Sequence, residues 1–358
     1  MRDIAPPHAA GQRAEQLQFL RFLAFLNVFL YHAECWNFMN YPVSHSGSLA
    51  VSFFIMLSGL VTGYSRYGRE AYPSIPNIGK DMRGKVRKIY PVYFLILMIT
   101  VMLDGVPKMI NAGDLDGLRA FSAELLQGAL LLQSWPGMRG TLWFLSTIMF
   151  LYLLNLPAMW LIHKVKEHRL RYFFLGGAFI ALMVLTALYC RLTRNTDMGY
   201  WQYQFPPARV GEYLGGMLLG YAIRDFKSQP ILEKIPRTVF TLAEAAALVF
   251  WFYSLRRAGS PWMNHIVSWL IPNTVLLGVF TFGMGGISKV FRWKPLAYLG
   301  DISFECYVIH HTVIRQFILN NYTEGDTLPG QVFSLCYCLV LTILSAAMLH
   351  KASGRKTR

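Results

Sequence analysis

Residues 48–65 read SLAVSFFIMLSGLVTGYS and contain no charged side chain. A helix needs roughly 17–25 such residues to cross about 30 Å of hydrocarbon. Comparable apolar stretches recur, and we predict about ten spans, near 17–35, 48–65, 88–106, 141–163, 172–190, 208–224, 238–255, 265–286, 296–319 and 330–350. Only 15% of the 358 residues are charged, against about 25% in soluble domains. The sequence therefore predicts an all-α, polytopic membrane protein.

Basic residues are concentrated in alternate loops. The segment 66–88 alone contains seven Lys or Arg residues, and one side of the predicted topology collects 25 of the 34 in the chain. Because cytoplasmic loops are enriched in Lys and Arg, we predict a cytoplasmic segment 1–16, a membrane domain 17–350 and a basic cytoplasmic tail 351–358. The net charge of +15 then follows from membrane topology, and we expect no nucleic-acid partner.

Arg21, His32 and Glu34 lie in the first predicted span, and Glu34 is not expected to face the same way as His32. An ionisable side chain inside a span costs about 2.5–3.5 kcal/mol, so each is a functional candidate. Arg21 and His32 are eleven residues apart, which is roughly 16 Å along a helix, and they lie on nearly the same face. A ligand extended along the helix could contact both. In the alternative interpretation, Arg21 reaches the inner headgroups and His32 bonds a neighbouring helix.

Charged residues also occur near two later spans. Arg209 and Glu212 are three residues apart and can pair on one helix face. Nearby glycines allow close approach of another helix, namely Gly211, Gly215, Gly216 and Gly220. In the ninth span, Asp301 and Glu305 are one helical turn apart, an unfavourable spacing for two carboxylates. The same span continues with His310, His311 and Arg315. We expect this density of polar groups to line a cavity.

The start of the third span and the segment before the fourth each allow two interpretations. Residues 85–91 read KVRKIYP, which fits either a positive-inside anchor or a phosphate-binding patch. Residues 119–135 are amphipathic and are expected to be interfacial or re-entrant. At this point two function classes remain open. One is an enzyme that acts on an anionic donor from the cytoplasm with His32 as base, and the other is a transporter or flippase for an anionic lipid-linked substrate.

Five phrases in order resemble one known family. They are Arg21-x10-His32, Val51-Ser52-Phe53-Phe54-Ile55-Met56-Leu57-Ser58-Gly59, the basic run ending in Ile89-Tyr90-Pro91, Arg209-x-Gly211-Glu212-Tyr213-x-x-Gly216, and Ile302-Ser303-Phe304-x-x-Tyr307-x-x-His310. On a ten-span frame they make the chain similar to the membrane acyltransferase 3 family, whose members are O-acyltransferases of cell-surface glycans. The resemblance covers about residues 17–350.

The chain departs from the family pattern in three places. Many members have two arginines where this chain has Lys85 and Lys88, and lysine lacks the bidentate fork of arginine. Many have a glutamate in the fourth helix, but residues 143–148 read WFLSTI here, so no catalytic carboxylate is expected there. The hydrolase-like extracytoplasmic domain of some members is not found in this sequence, and direct transfer to the acceptor is expected.

The resemblance implies acyl transfer from cytoplasmic acyl-CoA, with acetyl-CoA the expected donor, to a hydroxyl of a cell-surface or lipid-linked glycan. It implies no permanently bound cofactor and no metal, and it places the chain in a bacterial cytoplasmic (inner) membrane, in contact with lipids. The expected catalytic residues are His32, Arg21 and His310. The expected donor-binding residues are Lys85, Arg87 and Lys88. The expected substrate-binding residues are Glu212, Arg209 and Trp143.

Overall fold

The computed structural model describes residues 14–35, 47–69, 72–135, 142–165, 198–201, 203–227, 229–257, 266–319 and 327–354, together with single positions between 167 and 188. All regular secondary structure in these ranges is helical. The helices are α1 (Gln16–Cys35), α2 (Gly47–Ser65), α3 (Ile75–Thr100), α4 (Val106–Ala112), α5 (Leu115–Ala129), α6 (Trp143–Leu153), α7 (Asn155–Lys164), α8 (Val210–Lys227), α9 (Arg237–Arg257), α10 (Ile266–Phe282), α11 (Gly286–Phe291), α12 (Lys294–Asp301), α13 (Ser303–Leu319) and α14 (Leu328–Ala352).

Four helices in the described part of the chain are long and apolar enough to cross a membrane. Their spanning segments are Gly47–Ser65, Ile75–Leu103, Arg237–Arg257 and Pro329–Ala352. Helices α6 and α7, bent by 40° where they meet, add a fifth if they count as one span. The helices at four other predicted spans, 17–35, 208–224, 265–286 and 296–319, do not combine the same length and apolarity. The predicted span 172–190 lies largely outside the described residues.

Helix α3 begins thirteen residues before the predicted start of the third span at residue 88. Ser74 accepts a hydrogen bond from the backbone N–H of Asn77 and so caps the helix, and Pro76 fits its first turn. Continuous with this helix, a π-helical turn, Val101–Gly105, extends its far end. The basic segment that the sequence assigned to a loop is therefore partly helical, and its charges lie on an extension of a spanning helix.

The ninth predicted span is broken at Ile302, which separates α12 from α13. The prediction that Asp301 and Glu305 lie one turn apart on a single helix is therefore wrong. Glu305 instead lies 3.1 Å from Nδ1 of His350 on α14, and both side chains are buried. The carboxyl group of Glu305 is therefore paired with an imidazole from α14.

Helices α2 and α8 pack backbone against backbone. A Cβ on Gly59 would lie 2.0 Å from the carbonyl oxygen of Tyr213, and a Cβ on Gly216 would lie 2.0 Å from that of Met56. Gly63 and Gly220 make the same kind of contact one turn further along. The predicted close approach at Gly216 and Gly220 is confirmed, and the matching glycines on α2 complete it. Only glycines allow two helix backbones to pack this closely.

A buried carboxylate joins α9 to the start of α11. Glu244 accepts hydrogen bonds from the backbone N–H groups of Gly285 and Ser288, both at 3.0 Å, and from the Ser288 hydroxyl at 2.5 Å. The first N–H groups of a helix have no partner within it. Glu244 therefore caps α11 from a neighbouring helix. The same hydrogen bonds offset the cost of burying its carboxylate.

Candidate active site

Two histidines predicted as catalytic residues meet in the interior. His32 near the end of α1 and His310 in α13 are 3.1 Å apart, measured from Nδ1 of His32 to Nε2 of His310. The ring centroids are 4.9 Å apart. His311 also approaches His32, with ring centroids 5.7 Å apart. The predicted separation of Arg21 from His32 along α1 fits the unbroken helix between them.

Two backbone carbonyls determine which nitrogens carry protons. Nδ1 of His310 lies 2.6 Å from the carbonyl oxygen of Tyr307, so it must be the protonated nitrogen and donate there. In the neutral ring, Nε2 of His310 is then an acceptor. Nδ1 of His32 faces that acceptor and the carbonyl oxygen of Val28, 3.0 Å away, so it too must carry a proton. The lone pair of neutral His32 is thereby placed on Nε2, where it can accept a proton.

Aromatic side chains surround the pair. Phe25 packs edge-on against His310 at 5.8 Å, and Tyr307 lies 5.7 Å away on the same helix as His310. Tyr307 in turn contacts Phe144 of α6 and Phe54 of α2. His310 is buried and His32 is half-buried. Aromatic packing fixes both rings, so the interior of the bundle can present an imidazole in one orientation.

Basic residues meet at the other end of α1, around Tyr152 of α6. The ammonium group of Lys85 lies 4.3 Å from the centre of the Tyr152 ring, and Arg21 interacts electrostatically with the same residue. Arg66, which follows α2, forms an ion pair with Asp81. Asp81 also accepts a hydrogen bond of 2.9 Å from Asn155. This basic end, consisting of Arg21, Arg66, Lys85 and Asp81, carries three cations and one carboxylate.

The three predicted donor-binding residues do not share one environment. Lys85 is half-buried at the basic end, and no hydrogen bond joins its ammonium group to another residue that the structure describes. Arg87 and Lys88 are exposed on α3. The structure thus brings Lys85 together with Arg21 and separates both from Arg87.

The predicted substrate-binding residues form a second group. Nη2 of Arg209 lies 2.9 Å from Oε2 of Glu212, and both side chains are fully buried. Glu212 also accepts a hydrogen bond of 2.5 Å from Ser52 of α2. The Arg209 guanidinium lies 5.7 Å from the ring of Tyr203, and that ring lies 4.7 Å from the ring of Trp143. The predicted pairing of Arg209 with Glu212 is confirmed, and Trp143 connects to it through Tyr203.

Sequence reasoning missed several residues of this region. Arg66 and Asp81 were assigned to a basic loop, although an acidic residue among seven basic ones is a candidate counterion. Tyr203 was not among the predicted site residues. Its contact with Arg209 depends on the turn Pro206–Arg209, which the spacing does not reveal.

Comparison with known proteins shows the family of this chain. A family model described as an acyltransferase domain matches residues 15–350. The chain belongs to the acyltransferase 3 family. A relative of this family member, the acyltransferase MdmB of Streptomyces mycarofaciens, is 25% identical over 338 residues, which cover 87% of this chain and 81% of the relative. No solved structure matches the chain.

Membership confirms the resemblance that the five phrases indicated. This acyltransferase 3 protein is a membrane protein of helical architecture, and its class of reaction is acyl transfer. Of the two function classes left open by the residues, the family favours the enzyme over the transporter.

Proposed function

We propose that this protein is an O-acyltransferase that moves an acyl group, acetyl being the expected one, from cytoplasmic acyl-CoA to a hydroxyl of a cell-surface or lipid-linked glycan. The observation that carries the proposal is the His32–His310 pair, because its hydrogen bonds leave the lone pair of neutral His32 on Nε2, which bonds no backbone carbonyl of the residues that the structure describes. The family supplies the class of reaction. The chemistry of these residues supplies the step.

The proposed step is general base catalysis by His32. A hydroxyl is a weak nucleophile at neutral pH, and a positioned base contributes about 10²–10⁴-fold. Nε2 of His32 takes the hydroxyl proton while the oxygen attacks the thioester carbonyl carbon. The carbon–sulfur bond then breaks, and the imidazolium returns the proton to the departing thiolate. The products are the acyl ester and free CoA, and His32 is neutral again. His310 acts as a positioning residue, because its Nε2 accepts a hydrogen bond from the Nδ1–H group of His32.

The donor is proposed to lie along α1. Its nucleotide phosphates bind at the basic end, where Arg21, Arg66 and Lys85 outnumber Asp81. The thioester then lies near His32, roughly 16 Å away along the helix. This placement assumes the predicted topology, in which the protein has ten spans in the inner membrane of a bacterium and both termini are in the cytoplasm. The basic end then faces the cytoplasm, where acyl-CoA is made.

The acceptor is proposed to bind near Trp143 and Tyr203. Their rings contact each other at 4.7 Å and are only half-buried, and aromatic faces pack well against sugar rings. Arg209 and Glu212 are completely buried and paired, so we assign them the role of holding Tyr203 and α2 in place. Direct contact of those two with the acceptor would require the ion pair to open.

The proposal is tested with membranes that contain the protein, labelled acetyl-CoA and a glycan acceptor fraction. We expect His32→Ala to lower the transfer of label at least about 100-fold, because the step loses its base. His163→Ala is the matched control. His163 lies in the last turn of α7, where it bonds Tyr221 of α8. Transfer at a near wild-type rate by His32→Ala would refute the base assignment. Movement of a saccharide without consumption of acetyl-CoA would favour a transporter.

The role of His310 is separable in the same assay. The carbonyl oxygen of glutamine can accept the Nδ1 proton of His32, whereas phenylalanine cannot. We therefore expect His310→Gln to keep more transfer activity than His310→Phe, although phenylalanine is closer in shape to imidazole. Equal loss in both variants would contradict a positioning role through this hydrogen bond.

A further inference from the structure

A layer of polar side chains lies inside the bundle, and the proposed reaction does not use it. This polar layer consists of Tyr93 on α3, Gln133 and Ser134 in the turns after α5, and Ser146 on α6. Their exposed fractions are 0%, 3%, 0% and 2%, respectively. Buried polar groups in a membrane bundle are costly and usually functional, so the layer requires an explanation.

Hydrogen bonds determine the orientation of the Gln133 amide. The Tyr93 hydroxyl has one proton and lies 2.6 Å from the carbonyl oxygen of Gly128, so that proton is donated there. The atom of Gln133 that bonds the Tyr93 oxygen must therefore be the amide nitrogen, which donates. An amide flip would place two acceptors against one proton.

The same orientation leaves the amide oxygen of Gln133 without a donor. Among the residues that the structure describes, Oε1 of Gln133 has no hydrogen-bond partner, and the side chain is 3% exposed. The neighbouring Ser134 hydroxyl donates to Ser146 at 2.6 Å instead. A buried acceptor without a donor is unfavourable, and such groups are rare in native structures. A donor from a ligand would satisfy this oxygen once the side chains that cover it move apart.

Helix geometry gives the distance of the polar layer from the basic end. Tyr93 is eight residues after Lys85 on α3, which is about 12 Å. Ser146 is six residues before Tyr152 on α6, which is about 9 Å. Lys85 lies over the Tyr152 ring, so these two residues mark the same depth in the bundle and both distances are measured from that depth. The two routes agree that the polar layer lies about 9–12 Å from the basic end.

The same geometry gives its position relative to the histidine pair. Thr100, seven residues beyond Tyr93 and on the same face of α3, is about 10 Å further along. The hydroxyls of Thr100 and Thr312 are 3.0 Å apart. His310 precedes Thr312 by only two residues on α13. The polar layer therefore lies between the basic end and His310, on the side of α3 that faces α13.

We propose that Oε1 of Gln133 accepts a hydrogen bond from an amide N–H of the pantetheine arm of the donor. This inference rests on the proposed function. Pantetheine is a linear chain with two amides, placed between the nucleotide phosphates and the thioester sulfur. When the phosphates lie at Lys85 and the thioester at His32, an amide N–H lies at the depth of Gln133. A polar layer at that depth pairs the amides of the arm, which an apolar wall would leave unpaired.

The experiment measures the affinity of purified protein for three probes that do not react: CoA, pantetheine and adenosine 3′,5′-bisphosphate. We expect Gln133→Met, which keeps the length of the side chain and removes the oxygen, to weaken binding of CoA and pantetheine about tenfold. Binding of the bisphosphate should not change, because that probe lacks the arm. Gln331→Met on α14 is the matched control and should leave all three affinities unchanged.

Lys85→Gln should give the opposite pattern, with weaker binding of CoA and the bisphosphate and unchanged binding of pantetheine. Unchanged pantetheine affinity in Gln133→Met would overturn the inference, and so would an equal loss for all three probes, which indicates a structural role. If the wild type binds none of the probes, the donor assignment of the proposed function fails as well. If it binds pantetheine but not the bisphosphate, the arm comes from a carrier protein and the role of Gln133 stands.

Discussion

Substitution of Gly216 by alanine tests the contact between α2 and α8. The added Cβ would lie 2.0 Å from the carbonyl oxygen of Met56, whereas ordinary contact begins at 3.4 Å. The helices must therefore separate locally by about 1 Å or more. One turn away, the 2.5 Å hydrogen bond from Ser52 to Glu212 would lengthen to about 3.5 Å, the limit of a hydrogen bond.

The two effects give the expected magnitude. Overpacking costs about 1–3 kcal/mol, and a buried acceptor that loses its donor costs about 1–3 kcal/mol more. We expect Gly216→Ala to lower the free energy of unfolding by about 2–6 kcal/mol, measured by titration with a denaturing detergent. Gly278→Ala on α10 is the control, because its Cβ would meet only Leu219 at 3.9 Å. Equal unfolding free energies for the two variants would refute the interpretation of this interface.

Two further predictions concern buried carboxylates. Glu244→Ala leaves three donors at the start of α11 without their acceptor. We therefore expect the free energy of unfolding to fall by about 3 kcal/mol or more in the same titration. A decrease under about 1 kcal/mol would contradict the capping role. Glu305→Leu should destabilise strongly because it leaves His350 buried without its partner, while addition of His350→Leu should restore most of the stability. A strictly additive double variant would show that the two side chains do not interact.

Hydropathy predicted the all-helical architecture with membrane-spanning helices, because it depends on local composition. The ten spans and the orientation taken from loop charge stay predictions. Hydropathy and loop charge could not place the start of α3. The residues between Ile75 and Lys85 are polar enough to resemble a loop, and only the cap at Ser74 marks the helix. The break at Ile302 has no proline or glycine at its own position. Glu305, which lies just after the break, pairs with His350 on a distant helix, and local patterns do not contain that contact.

The site was predicted unevenly for a related reason. An ionisable residue in an apolar stretch is visible in the sequence, and Arg21, His32, Glu212 and His310 were found in that way. Gln133 was not found, because an uncharged amide in a turn is ordinary. Its interest lies in an oxygen left without a donor, and only the three-dimensional placement of Tyr93 and Gly128 reveals that.

The contacts of α1 have a consequence for synthesis of the chain. Gln16 donates a hydrogen bond to the carbonyl oxygen of Phe280, and it accepts one from Arg292. Gly300 packs against the backbone of Gln18, and His310 contacts His32. These four partners of the first helix come from the last quarter of the chain, although α1 is translated first and also packs against its sequence neighbour α2. Contacts of such long sequence separation form late, so α1 must remain in the bilayer without these partners until α10 to α13 have been inserted. A ribosome that stalls after α9 would leave a chain that contains His32 but lacks its hydrogen-bond partner His310.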